Sequence, residues 1–243
     1  MTRFSALFVA LAAVLAAMAA EYSLNVQNFS SLTVIDGIAV DYVQRTDSAG
    51  WARFVCEPEL ASKIMFNNNR DKLTVRTASE DSPIVGMPRV TVYSSTLRNI
   101  ENDGDSLLIV TLNEHVENLS VKQIGNGRIE VRGIDAENVN ASVAAGCGTV
   151  DIEGTTGKLK LQNIGTGQLD AADMVATEAK CYLFGSGPIH CSPAEKLIVY
   201  GAGNGHVILH TSPSKISNRA LGVTVHQYND CSRAEQESLI DRR

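Results

Sequence analysis

Aromatic residues make up only 5% of the 243-residue chain, and Trp51 is the single tryptophan. Ring platforms for stacking sugars or bases are therefore expected to be few. Lysine and arginine form no run: 21 basic residues stand against 27 acidic ones, a formal net charge of -6. A mildly acidic chain without a basic cluster has no reason to seek phosphate backbones, which argues against a nucleic-acid partner. The absence of Cys-x-x-Cys leaves a zinc ribbon or thioredoxin-like site unsupported, and no Gly-x-Ser-x-Gly elbow marks a serine nucleophile. No Pro/Ser/Gly-rich linker divides the sequence. Only the extreme N-terminus has a long apolar run.

That run, MTRFSALFVALAAVLAAMAA at residues 1–20, has a basic start at Arg3, an apolar centre and Ala17-Met18-Ala19 at its end. This is the pattern of a secretory signal peptide. An uncleaved anchor helix is the alternative, disfavoured by alanine richness and short length. No cysteine follows the cleavage region, so lipid attachment there is not expected. The mature chain is expected to be exported (periplasmic, cell-surface or secreted), with no transmembrane segment and a formal charge one unit more negative.

What the chain does have is a recurring phrase. It reads Gly125-Asn-Gly-Arg-Ile-Glu-Val131, then Gly146-Cys-Gly-Thr-Val-Asp-Ile152 and Gly165-Thr-Gly-Gln-Leu-Asp-Ala171. Two more copies are Gly185-Ser-Gly-Pro-Ile-His-Cys191 and Gly203-Asn-Gly-His-Val-Ile-Leu209. The copies start 21, 19, 20 and 18 residues apart. A fixed period near 20 marks a stacked architecture. The fifth and seventh positions are apolar and their neighbours mostly polar, the alternation of a strand with one buried face. Short strands such as Leu119-x-Val121, Leu159-x-Leu161 and Leu197-x-Val199 precede the glycines. Each unit is thus strand, sharp Gly-x-Gly corner, strand. The pattern predicts an all-β fold, a right-handed parallel β-helix-like solenoid. Its second corner glycines, Gly127, Gly148, Gly167, Gly187 and Gly205, are expected to stack in a column, several with positive φ. A dinucleotide fingerprint would need a helix starting inside the glycine motif. Strands follow here instead, and no cofactor is expected.

Residues 21–226 read as one solenoid domain, with a strand-rich part at 21–95, repeat coils at 96–226, and a polar tail at 227–243. In the first part, Asp36-Gly37 signals a turn between Leu32-Thr-Val-Ile35 and Ile38-Ala-Val-Asp-Tyr-Val43. Pro58 to Ile64 reads as a short helix with proline in its first turn, and Ser79 to Pro88 as a loop. Trp51 is expected in the core or a cap. Asp103-Gly-Asp105-Ser-Leu107-Leu-Ile109 reads as a degenerate copy with aspartates in the glycine places. Pro213, Ile216 and Gly222-Val-Thr-Val225 suggest a closing coil.

These residues together resemble the family of putative auto-transporter adhesins with a head GIN domain, exported bacterial proteins. The resemblance runs from Phe29-x-x-Leu-x-Val34 and Asp36-Gly-Ile38-x-Val40 through Leu73-x-Val75 and Val90-x-Val92. It then takes in the ladder of Gly-x-Gly corners and ends at Pro213-x-x-Ile216. It departs from the family at Asp103 and Asp105 and in its number of cysteines. It implies a cell-surface, periplasmic or secreted β-solenoid and brings no catalytic residues.

Candidate chemistry is sparse. Five cysteines, Cys56, Cys147, Cys181, Cys191 and Cys231, leave at least one thiol unpaired in a monomer. Cys181 and Cys191 fall at inward strand positions, where cysteine acts as a small apolar filler, and Cys147 falls in a corner. His115, His190, His206, His210 and His226 form no helical ligand pair, and no metal site is expected. The sixth repeat position forms an outward column, Glu130, Asp151, Asp170, His190 and Ile208. Its three carboxylates are the candidate binding residues. At a strand spacing of ~4.8 Å, two such charges repel by about 0.9 kcal/mol in water. The ladder is tolerable without an ion, Arg128 can offset part of it, and no tight calcium site is expected.

The functional expectation is a non-enzymatic exported β-solenoid offering a long side surface for adhesion or assembly. Its ligand is unknown, with a glycan or matrix protein as candidates. The alternative is a β-helix polysaccharide lyase or hydrolase, which would need carboxylates and basic residues converging in a cleft; the polar columns look too poor in lysine and arginine for that.

Overall fold

The computed structural model describes residues 19–78 and 85–228. Residues 1–18 of the expected leader, the greater part of the Ser79–Pro88 loop, and the tail after Tyr228 with Cys231 lie outside the described residues; Ala20 of the expected leader already starts the first strand. The described residues are all-β, with 67% strand and 2% helix, and form a β-solenoid of about 6 turns with coils about 20 residues apart.

Among the described residues, seventeen strands join in one sheet. They begin with β1 (Ala20–Asn25), β2 (Ser31–Ile35), β3 (Val40–Gln44) and β4 (Trp51–Cys56), followed by the single-turn helix α1 (Pro58–Ala61). Next come β5 (Ile64–Asn69), β6 (Lys72–Thr77), β7 (Val90–Ser94), β8 (Asn99–Asp103), β9 (Leu107–Thr111) and β10 (Val116–Ile124). Four long strands follow: β11 (Arg128–Val143), β12 (Thr149–Gly165), β13 (Gln168–Gly185) and β14 (Ile189–Gly203). The last are β15 (His206–Leu209), β16 (Lys215–Asn218) and β17 (Thr224–Gln227).

Two parallel walls run along the solenoid. The first stacks β6, β2, β8, β10, the C-terminal halves of β11 to β14, and β16. The second stacks β7, β3, β9, the N-terminal halves of β11 to β14, β15 and β17. A register shift between Val131 and Ile134 bends β11 against β12, and the shift recurs at Asp151/Gly154. Residues 134–136, 154–156 and 174–176 then form a short third side. The repeat's apolar pairs all point inward: Ile129, Val131, Val150, Ile152, Leu169, Ala171, Ile189, Cys191, Val207 and Leu209 are each at most 1% exposed. Burying one apolar row per wall in every coil is what holds the stack together.

The coils do not stack in chain order. The β2/β3 coil lies between the β6/β7 coil and the β8/β9 coil. After β3 the chain passes to the outer side of the first coil, where β6 and β7 stack on it, and rejoins on its other side at β8 and β9. The outer end is closed by antiparallel pairing, β5 on β6 and β4 on β7, with β1 on β4. Covering a terminal edge in this way protects it from pairing with another chain. Trp51 sits in this cap, 38% exposed. The helix has Pro58 in its first turn, as expected, but stops at Ala61, and Ile64 already starts β5. Beneath the cap, Tyr42 is fully buried, packs edge-on to Phe29 at 6.1 Å, and meets Ser94 Oγ at 2.9 Å. Burial pushes its hydroxyl pKa up to about 12.

The corners correct two expectations. Positive φ falls on the first glycine of each pair, from +79° at Gly146 to +145° at Gly185, and not on the second. The second glycines are buried and tight for another reason. A Cβ built on Gly148 would lie 2.7 Å from the Gly125 carbonyl oxygen of the preceding coil, and one on Gly127 would lie 2.5 Å from Gly104 O. The first glycine makes the bend, and the second lets successive coils approach. The degenerate copy is also one residue out of the expected register. Ile124 pairs with Asp103 and Arg128 with Leu107, so Gly104 and Ser106 occupy the two corner positions. The inward pair is Leu108 and Val110, both fully buried, rather than Leu107 and Ile109.

Candidate ligand-binding face

The acidic column exists. Glu130 pairs with Asp151, Asp151 with Asp170, and Asp170 with His190, on the outside of the second wall. Its charges are partly met in place. Arg128 reaches Glu130 at 2.9 Å and Asp151 at 3.0 Å, and Arg132 reaches Glu130 at 2.8 Å. Partial burial raises the Asp151 pKa; Asp170 and Glu130 add to that effect and Arg128 opposes it. The ladder is therefore a crowded carboxylate row held by two guanidinium groups.

Farther along the same wall, the stack gathers histidines that are distant in sequence. His190 Nδ1 and His210 Nε2 are 3.0 Å apart, and His210 stacks on Tyr228 at 4.5 Å. His206 and His226 lie with ring centroids 5.4 Å apart, both bonded to Thr224 Oγ1. Burial lowers the His190 pKa, His210 adds to the lowering, and Asp170 opposes it. Among the described residues no group of three or more metal-ligating side chains is placed to hold an ion.

The first wall carries a feature that sequence reasoning missed. Its outward positions repeat every coil, so Asn118, Asn138, Lys158 and Glu178 stand in one row, continued by Lys196 and Lys215. Two residues on, Ser120, Asn140, Lys160 and Lys180 make a second row. Between the rows runs a groove of about 710 Å³ that begins at Arg98 and Asn99 and ends at Glu178 and Lys180. Its floor is the backbone over Leu119, Val139 and Leu159, whose side chains point into the core. Asn138 donates to Asn118 Oδ1 at 3.1 Å, a fixed amide pair. Lys196 is bound to Glu178 at 3.6 Å, just past the groove end. Arg98, Lys158, Lys160 and Lys180 are exposed, and among the described residues no carboxylate pairs with any of them. The next row holds Tyr182 stacked on Tyr200 at 5.3 Å, with Lys160 Nζ 5.3 Å from the Tyr182 ring. The expectation of columns poor in basic residues is thus corrected for this wall. No run of lysines exists, but residues one coil apart become neighbours at the strand spacing. The sequence signal was spacing: Lys160 and Lys180 recur in phase with the repeat, as do Lys158, Lys196 and Lys215 along the neighbouring row.

The family model for the putative auto-transporter adhesin, head GIN domain, matches residues 28–213. The chain belongs to this family. A protein described as a putative adhesin, from Bacteroides fragilis NCTC 9343, superposes with a TM-score of 0.70 at 18% identity, over 86% of this chain and 97% of that one. A putative adhesin from Parabacteroides merdae ATCC 43184 gives 0.66 at 15% identity, over 87% and 97%. A protein described as a putative lipid binding protein, from Parabacteroides distasonis ATCC 8503, gives 0.67 at 16% identity, over 87% and 97%. At these identities the likeness establishes the fold. No curated protein matches the chain. Among the described residues of this head GIN domain protein, no helix is long and apolar enough to cross a membrane.

Proposed function

We propose that the chain is an exported, non-enzymatic adhesin-like protein that holds its ligand against the groove of the first wall. The carrying observation is the group of exposed basic side chains without a carboxylate partner, Arg98, Lys158, Lys160 and Lys180, that flanks a set of amides in one groove, on a solenoid of an adhesin family. Buried Leu, Val and Ile rows fill the coil interior, so the outer faces are the surface offered to a partner. Of the two polar faces, the acidic column has its own guanidinium groups, whereas the groove's cations await a counter-charge. Family membership supports export and a surface role, and the leader-like residues 1–20 agree with it. Neither the family nor the structural neighbours support the polysaccharide lyase reading.

An array of glycans and matrix proteins, probed with wild type and with a K158E/K160E variant, tests this function. Retention on at least one ligand by wild type, lost in the variant, is the expected result. Equal retention by both would move the ligand to another face.

A further inference from the structure

We infer that the groove takes a linear anionic polysaccharide, its chain lying along the solenoid axis and its carboxylate or sulfate groups meeting Lys158, Lys160, Lys180 and Arg98. This deepens the function proposed above and rests on it.

Charge is the first argument. A chain of net charge -6 collects four cations without a carboxylate partner in one groove, against the single carboxylate of Glu178, which is bound to Lys196. An ammonium group is a point charge with three rotatable donors, suited to carboxylates or sulfates whose positions vary along a polymer. The second argument is hydrogen bonding. Asn118, Asn138, Asn140 and Ser120 present amide and hydroxyl groups that both donate and accept, the complement of sugar hydroxyls. Shape is the third. The groove crosses five coils, from Asn99 to Lys180, so at one strand spacing per step it is roughly 19 Å long. An extended chain of several sugar rings fits along it, and a compact ligand would use only part.

These features separate a glycan from nucleic acid. Single-stranded nucleic acid is bound by tracking phosphates and stacking bases on exposed rings. No aromatic side chain lines this groove; the nearby Tyr182 and Tyr200 are stacked on each other. Each cation in the groove faces water, so attraction is screened over about 8 Å at physiological salt. Affinity is expected to be modest, to depend on the number of sugar units engaged, and to fall as salt is raised.

Calorimetry with the full-length protein tests the inference. The probes are an oligogalacturonate (carboxylates), a heparin oligosaccharide (sulfates), the methyl-esterified oligogalacturonate as neutral counterpart, and a single-stranded DNA of matched charge. Binding of either acidic oligosaccharide, with no binding of the neutral one, is the expected result; the first two arms tell carboxylate from sulfate. K158E/K160E should weaken that binding at least tenfold. R45E/K63E, which makes the same charge change on exposed residues away from the groove, should leave it within twofold. Equal loss in both variants would reduce the effect to net charge and overturn the inference. So would tighter binding of DNA than of either glycan. If K158E/K160E loses retention on the ligand array while no acidic oligosaccharide binds, the ligand class is wrong and the binding face stands. If retention survives, both readings fall.

Discussion

Asn163, fully buried, donates to the Gly167 carbonyl at 2.7 Å and to Pro188 O at 3.3 Å. A core amide thus ties down a corner of its own coil and the corner of the next. Asn102 and Gln123 tie corners in the same way three and two coils earlier: Asn102 donates to Ser106 O and to Gln123 Oε1, both at 3.0 Å, and Gln123 donates to Ile124 O at 2.9 Å. Removing the Asn163 amide takes its side-chain donor from the buried Gly167 carbonyl, which costs about 1–3 kcal/mol, while Pro188 O keeps the Leu169 N–H at 3.1 Å. Asn163→Leu should show that loss in urea unfolding. An unchanged midpoint would remove the amides from the account of the corners.

Gly167 itself makes the sharper case. A Cβ there would overlap the Gly148 carbonyl and sit 2.8 Å from Val143 Cγ1, with backbone on one side and core on the other. Gly167→Val should destabilise the fold by a few kcal/mol (about 3), read as a lower melting temperature. A wild-type melting temperature would contradict the corner geometry.

Asp151 gives a pH prediction. Its pKa is raised, chiefly by partial burial and then by Asp170, so the native state holds the proton more tightly than the unfolded chain. Stability from this group is therefore present below the unfolded value, about 3.9, and is lost as pH rises through the raised native value. Asp151→Asn should melt above wild type at pH 7, and the gap should close near pH 3. A lower melting point than wild type at pH 7 would mean that the Arg128 contact outweighs the burial of the carboxylate.

The thiols divide by place. Cys147 is exposed at a corner, whereas Cys56, Cys181 and Cys191 are buried and all four are unpaired. The contact with Cys191, and then burial, hold the Cys181 thiol well above its ordinary pKa. In native, unreduced protein, Cys147 should alkylate first, with Cys181 and Cys191 reacting only after denaturation. Denatured, unreduced protein should show at least one alkylatable cysteine. A verified monomer in which none of the five can be alkylated would contradict this.

The acidic ladder should not be a tight cation site. Arg128 and Arg132 already engage Glu130 and Asp151, and a straight column cannot converge the six to eight oxygens that calcium takes. Calorimetry with calcium should show no sub-micromolar event. A tight event lost in the E130A/D151A/D170A variant would establish a metal-dependent face instead.

Fold legibility followed the period. Where alternation and Gly-x-Gly recur, as from Gly125 to Leu209, inward residues could be read directly, because one coil predicts the next. At Asp103–Ile109 the same reading slipped by one residue, since Gly104 is a lone glycine and Ser106 supplies no second marker. The out-of-order first coil left no trace in sequence, because β2 and β6 carry interchangeable alternations. The acidic column was legible as three carboxylates in one phrase. The basic groove was not, because its lysines lie in the less regular strand before each corner and become neighbours only across coils. The His190–His210 contact was hidden for the same reason, spanning two coils and two different positions of the phrase.

The central claim is that the first wall, and not the acidic column, meets the ligand. Titrating isotope-labelled 26.1 kDa protein with an acidic oligosaccharide and following backbone amide shifts tests it most directly. The account predicts shifts concentrated at Asn118, Asn138, Asn140, Lys158, Lys160 and Lys180, with Glu130, Asp151 and Asp170 unmoved. Shifts centred on the carboxylate column, with the groove residues silent, would contradict it.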